Sequence, residues 1–144
     1  MSATMNFSKY PAYFELNGDN TYTIRLRNWE GAFSFATNLE EAKAKAKTLL
    51  LDVLNSLISN SEVIPYADKA QKNDYLIELP IDTSLKIVLI NEMLNSRYKK
   101  ADLARGLNIP PQRLTSFLSL KKATNLQFIS EAFAFMGKSL SFSI

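Results

Sequence analysis

The chain contains no cysteine and no histidine. The first absence excludes disulfide scaffolds, thiolate nucleophiles and Cys-ligated zinc. The second removes the commonest general base and the commonest metal ligand. Proline and glycine are scarce, at five and four residues, which leaves little room for long disordered tracts. No apolar run reaches the roughly 18–20 residues that a membrane-spanning helix needs. Met1-Ser2-Ala3-Thr4-Met5-Asn6 lacks the basic and then apolar regions of a secretion signal. The expectation is a cytoplasmic protein that is not an enzyme, with no membrane association, no metal and no cofactor.

What is present is ordinary in amount and uneven in placement. A length of 144 residues fits one medium domain or two small ones, and 47% apolar with 22% charged residues suits a folded chain. The net charge of +3 is not spread evenly. Residues 1–72 balance eight Lys/Arg against eight Asp/Glu, whereas residues 73–144 carry nine against six. Within 97–122 the count is seven (Arg97, Lys99, Lys100, Arg105, Arg113, Lys121, Lys122) against Asp102 alone. Such a segment is the electrostatic footprint of a phosphate-backbone binder, and equally that of a solvated basic face.

The first half reads as sheet and helix. Tyr10, Ala12, Phe14 and Leu16 alternate as a strand, Asn17-Gly18-Asp19-Asn20 is turn chemistry in which Gly permits positive φ and Asn and Asp tolerate it, and Tyr22, Ile24 and Leu26 return. Trp29-Glu30-Gly31 turns the chain again, and Phe33 and Phe35 mark a third strand of a meander with one apolar face. Thr37 with Glu40 reads as a capping box. It opens an amphipathic helix from about Asn38 to Ser59 with Leu39, Ala42, Ala46, Leu49, Leu50, Val53 and Leu57 on its stripe. A polar stretch, Ala67–Asn73, precedes a fourth strand at Tyr75, Ile77 and Leu79, stopped by Pro80.

From Asp82 the period becomes helical. A first helix, capped by Asp82 or Thr83, carries Leu85, Val88, Leu89 and Met93 on one face and Ile87, Ile90 and Leu94 on another, which predicts burial on more than one side, in a core and, with the terminal Leu140, Phe142 and Ile144, in a subunit contact. Further helices are predicted over about Lys99–Leu107, from Pro110-Pro111, and over about Asn125–Met136 with Gly137 as C-cap. Ser139 to Ile144 alternates strictly and predicts a terminal strand.

Residues 100–118 hold the sharpest pattern. Ala104 is small where two helices would cross, and Leu103, Leu107, Ile109, Leu114, Phe117 and Leu118 form an apolar wedge. Asn108 sits where a turn needs positive φ, and Pro111 suits the first turn of a helix. This is a helix-turn-helix. Its outward residues, Gln112, Arg113, Thr115 and Ser116, match major-groove readout of adenine and guanine edges, and Lys99, Lys100, Lys121 and Lys122 are candidate phosphate contacts. A three-helix packing unit uses the same wedge without touching DNA. The coincidence of wedge and basic segment favours the DNA reader.

In the first half, Glu15, Asp19 and Glu30 lie near strand ends, but Asp19 is explained by its turn and Glu15 by an outward strand face. Arg25, Arg27 and Trp29 are residue types enriched at protein interfaces, although an exposed strand face and a core tryptophan explain them as well.

Several stretches, in order, resemble the HicB antitoxin family: Tyr10-Pro11-Ala12-Tyr13-Phe14, Gly18-Asp19 with Tyr22, Asn38-Leu39-Glu40-Glu41-Ala42, Val63-Ile64-Pro65, Ile77-Glu78-Leu79-Pro80, Ala123-Thr124 and Gly137-Lys138. The resemblance implies a degraded ribonuclease-H-like domain that blocks a HicA-like RNA-cleaving toxin, joined to a helix-turn-helix that represses the operon. The chain departs from the family at Arg27-Asn28-Trp29-Glu30-Gly31, where an Asp-x-Pro-Gly-Cys-like turn is common, and the ribonuclease-H carboxylates are not identifiable.

The combined expectation is an α+β fold. A small antiparallel sheet covered by a helix (residues 1–80, toxin binding through Arg25, Arg27 and Trp29) precedes an all-α helix-turn-helix and dimerisation domain with a short terminal strand (81–144). Its partners would be a HicA-like toxin, operator DNA and a second copy of itself. The rival is a stand-alone helix-turn-helix regulator whose N-terminal domain senses a ligand or partner.

Overall fold

The computed structural model of the protein describes residues 6–139. The architecture is α+β, with four strands and five helices among the described residues: β1 (Lys9–Leu16), β2 (Tyr22–Leu26), β3 (Phe33–Ala36), α1 (Leu39–Ser59), β4 (Tyr75–Glu78), α2 (Ile81–Asn95), α3 (Lys100–Gly106), α4 (Pro111–Leu118) and α5 (Leu126–Phe135). They form two compact units. One holds the chain up to Ser56 with Pro65–Pro80, and the other holds Leu57–Ile64 with the chain from Ile81 onward.

In the first unit the strands make one antiparallel sheet in the order β3-β2-β1-β4. Period-2 alternation puts Tyr10, Ala12, Ile24, Leu26, Ala36 and Ile77 on the buried face. Ala42, Ala46, Leu50 and Leu54 of α1, spaced by four, are fully buried, and this stripe is what covers that face. The Tyr10 hydroxyl donates to the Pro65 carbonyl at 2.8 Å, and burial pushes this phenol's pKa upward.

Two details differ from the sequence reading, the helix cap and the face of β3, and one, the hairpin turn, narrows it. The helix cap is Asn38, not Thr37: Asn38 Oδ1 accepts from the Glu41 N–H at 2.8 Å, while the Thr37 hydroxyl donates to the Glu41 carboxylate. The positive φ of the first hairpin is carried by Asn20 (67°) and not by Gly18, with Asp19 Oδ1 accepting from both the N–H and the hydroxyl of Thr21. Phe33 and Phe35 face outward, 52% and 53% exposed. The register pairs Tyr22 with Ala36 and Ile24 with Ser34, so the small residues of β3 lie on the side of the buried Ile24 and the phenylalanines on the other.

In the second unit α2 begins at Ile81, directly after Pro80, so Asp82 lies inside its first turn rather than capping it. Lys86, Ile87, Leu89, Ile90 and Met93 are all buried, as an almost uniformly apolar helix requires. Ile87 and Ile90, expected as a subunit contact, are consumed by the core of their own chain. The remaining core comes from Leu103, Ala104, Leu114, Leu118, Phe128, Ile129, Ala132 and Phe133. Helix α5 is capped by Asn125, whose Oδ1 accepts from the Phe128 N–H at 3.1 Å. It ends with Gly137 at φ 75°, where the Lys138 N–H donates to the Phe133 carbonyl and Gly137 to Ala134. The strand expected over 139–144 falls, apart from Ser139, outside the described residues.

Candidate nucleic-acid interface

Helices α3 and α4 are joined by a tight turn whose geometry follows from Asn108. Its φ is 57°, and the Ile109 and Asn108 N–H groups donate to the Ala104 and Arg105 carbonyls at 3.0 and 3.1 Å. This is the reversed pairing that closes a helix through a left-handed residue, a conformation asparagine tolerates. Helix α4 then starts with Pro111 in its first turn, and no side chain caps its N-terminus. Between the two helices the wedge is as expected in kind but graded in depth. Leu103, Leu114 and Leu118 are buried, while Leu107, Ile109 and Phe117 are half-buried.

At about 100° per residue, Leu114 and Leu118 define one side of α4, and Gln112, Arg113, Thr115 and Ser116 occupy the opposite arc. All four are exposed. The Arg113 guanidinium lies 5.5 Å from the centre of the Phe117 ring, which in turn stacks on Phe128 at 4.5 Å, so its base rests on a fixed aromatic pair. The Thr115 hydroxyl donates back to the Pro111 carbonyl at 3.2 Å, which leaves its oxygen lone pairs outward as acceptors.

The basic segment divides into committed and uncommitted cations. Asp102, the one acid within it, accepts from the Lys99 N–H at 2.8 Å and from Arg105 at 2.6 Å, so Arg105 is neutralised locally. Arg97 is engaged by the neighbouring Tyr98. Lys99, Lys100, Lys122 and Arg113 are exposed and make no ion pair among the described residues. Lys121 is exposed as well. Lys99 and Lys100 lie at the start of α3, and Lys121 and Lys122 follow α4.

One residue behind this surface escaped the sequence reading. Lys86, 1% exposed, sends its ammonium to the Ser119 carbonyl at 2.8 Å and the Lys122 carbonyl at 3.3 Å. It thereby pins the turn that follows α4 and carries Lys121 and Lys122. Burial pushes its pKa down, only partly offset by Asp82. A lysine within the otherwise apolar run Leu85–Ile90 was the available signal, since a buried charge needs partners.

The residues singled out in the first unit have separate fates. Arg27 is bound to Asp74 through two 3.0 Å hydrogen bonds and lies 3.9 Å over the Tyr13 ring, and this guanidinium holds the Asp74 carboxyl below its ordinary pKa. Trp29 is half-buried and stacks with Tyr10 at 5.8 Å. Arg25 pairs with Glu15 at 2.6 Å and lies over Phe33, on the outer face of the sheet with Phe35 and the exposed Leu76. No group of three or more acidic side chains placed to hold a metal ion occurs among the described residues, and no helix is long and apolar enough to cross a membrane.

A four-stranded sheet backed by one helix, followed by a helix-turn-helix unit with an exposed polar arc and uncommitted cations, defines a two-unit α+β protein with a candidate nucleic-acid surface. The chain belongs to the HicB-like antitoxins of bacterial toxin–antitoxin systems, whose family profile matches residues 9–88. It is 27% identical to Antitoxin HicB of Escherichia coli K12 over 133 residues, covering 92% of this chain and 96% of that protein. It is 28% identical to Antitoxin HicB 2 of Photorhabdus laumondii over 132 residues, 92% and 93% of the two chains. With Antitoxin HicB of Pseudomonas fluorescens it shares 36% identity over 93 residues, 62% and 64% of the two chains.

Proposed function

We propose that this antitoxin neutralises a HicA-like ribonuclease by binding it through the first unit, and represses its own operon as a dimer through the second. The observation that carries the DNA half is the exposed arc Gln112, Arg113, Thr115 and Ser116 at the start of α4, opposite buried Leu114 and Leu118 and in a segment where Lys99, Lys100, Lys122 and Arg113 make no ion pair among the described residues. Insertion of α4 in the major groove lets Gln112 pair with an adenine edge and Arg113 with guanine. Lys99, Lys100, Lys121 and Lys122 take phosphates. Arg113→Ala is expected to cost roughly 1–3 kcal/mol on the operator and to relax specificity at one base pair. Lys100→Ala or Lys122→Ala is expected to lower the salt slope by about 1 and leave sequence preference unchanged. Fluorescence anisotropy on operator and scrambled duplexes at several salt concentrations separates the two patterns. Uniform weakening of Arg113→Ala on every duplex contradicts the base-reading role.

For the toxin half, the outer face of the sheet replaces Arg27 and the half-buried Trp29 as the contact. Arg25 over Phe33, with Phe35 beside it, is the aromatic-plus-arginine composition of interface cores, while Arg27 is taken up by Asp74 and by the ring of Tyr13. Co-expression with the neighbouring small gene, followed by co-purification and growth rescue, tests it. Phe33→Ala with Phe35→Ala is expected to lose both the complex and the rescue while operator binding persists. An unimpaired complex in that double variant rejects this face.

A further inference from the structure

The second unit contains a cavity of about 250 Å³ bounded by the last turn of α1, by α2, by the start of α3 and by the last residue of α4. Its apolar walls are Ile58, Ile90, Met93, Leu94 and Leu118, and four of these five are buried, so the walls belong to the core and are held in place by it. The polar groups around it are mostly committed. The Ser96 hydroxyl donates to the Met93 carbonyl and accepts from the Tyr98 N–H, and the Tyr98 hydroxyl accepts from Arg97. Lys99 and Lys100 also line the cavity, are exposed, and make no ion pair among the described residues.

We propose that this cavity binds a small amphipathic carboxylate, with its hydrocarbon against the apolar walls and its carboxylate between Lys99 and Lys100. An apolar chamber holds water poorly, because water needs several polar partners. A purely apolar guest gains nothing from the two ammonium groups at the rim, and a bare phosphate gains nothing from the five apolar walls. The volume lies just below the roughly 300–1,000 Å³ of drug-sized pockets, which suits a short chain rather than a fused ring system.

The same two lysines are the phosphate contacts proposed above, so the site has a regulatory consequence that rests on the DNA reading. A carboxylate seated between them neutralises charge that DNA would otherwise use. Ligand and operator therefore weaken each other by the same factor.

The test titrates the full-length protein with sodium octanoate, by calorimetry and by amide chemical-shift mapping, with acetate and octanol as probes lacking the chain and the charge. Octanoate is expected to saturate with shifts at Ile58, Ile90 and Leu94, octanol to bind severalfold more weakly, and acetate not at all. Leu94→Trp fills the chamber and should abolish octanoate binding. If that variant does not fold, Lys99→Gln with Lys100→Gln, both on the surface, should bring octanoate down to the affinity of octanol. Equal affinity for octanoate and octanol, shifts elsewhere, or binding that tracks dissociation of a dimer overturns the proposal. In the DNA arm, saturating octanoate is expected to weaken operator binding roughly tenfold, within the usual range of such couplings, and to lower the salt slope by about 1, since one carboxylate cancels one positive charge. Octanoate bound in the chamber with operator affinity unchanged overturns the regulatory half. A parent protein that binds no operator refutes the DNA reading and leaves the octanoate result standing.

Discussion

Ser61 ends α1 at φ 55°. The Glu62 and Ser61 N–H groups donate to the Leu57 and Ile58 carbonyls at 2.9 and 3.1 Å, the same closure that Asn108 makes after α3 and Gly137 after α5. Glycine occupies such a position without a Cβ clash, asparagine tolerates it, and serine is the least suited of the three. Ser61→Gly is therefore expected to stabilise the protein by about 0.5–1 kcal/mol, read as a higher denaturant midpoint at constant m-value. An unchanged or lower midpoint shows that the serine side chain contributes something the backbone geometry does not reveal.

A second residue-scale expectation concerns pH. The native pKa of Lys86 is held below the ordinary ammonium value of about 10.4. Between the two values the unfolded chain binds the extra proton, so the stability of the second unit rises as pH climbs through that window and levels off above it. Lys86→Met is expected to remove this slope. Amide exchange at Leu89 or Phe133 reports the second unit by itself. That choice avoids Tyr10 in the first unit, whose raised pKa acts in the opposite direction above pH of about 10. A slope that survives in Lys86→Met assigns the pH dependence to another group.

At the scale of elements, α3 and α5 meet where Gly106 lies under the ring of Phe135. A Cβ at 106 would collide with that ring, which is itself packed on Tyr98 at 5.1 Å. Helix propensity alone favours alanine over glycine here by about 1 kcal/mol, yet overpacking costs roughly 1–3 kcal/mol. Because the ring is rigid and already packed, the clash should dominate. Gly106→Ala is expected to lower the melting temperature, and Phe135→Leu in the same chain to recover much of the loss. A single variant more stable than the parent means the ring moves aside freely. The sheet shows a related effect, since Phe-Ser-Phe-Ala alternates whichever side is buried. Only the pairing of β3 with β2 decides that Ser34 and Ala36 lie inside.

For the molecule as a whole, the proposed reading of two operator half-sites about one helical turn apart, roughly 34 Å, would require two copies of α4. Ile87 and Ile90 are buried in their own unit and Leu94 lines the cavity, so the first two have no free surface to offer a second copy. Sedimentation velocity at micromolar concentration is expected to show a dimer that persists in Leu94→Trp. A monomer would defeat symmetric half-site reading, whereas a dimer lost in Leu94→Trp would return α2 to the interface. The units also interleave in the chain. Leu57–Ile64 groups with the second unit, where the Asn91 amide bonds both the N–H and the carbonyl of Ile64 at 2.9 Å. A fragment of the second unit therefore needs these residues in addition to those after Pro80.

Local chemistry by itself determined the elements, the hairpin, the helix ends at Asn108 and Gly137, the solvent-facing arc of α4 and the family resemblance. Each depends on spacing along a few residues, and spacing is written in the sequence. Tertiary structure alone decided which face of β3 is buried, where β4 joins the sheet, that Arg27 answers Asp74 and that Lys86 reaches Ser119 and Lys122. It alone decided, too, that an apolar chamber opens beside two lysines. These depend on partners as far apart in the chain as Lys9 and Glu78, and an isolated charge or phenylalanine reads the same whether its partner exists or not.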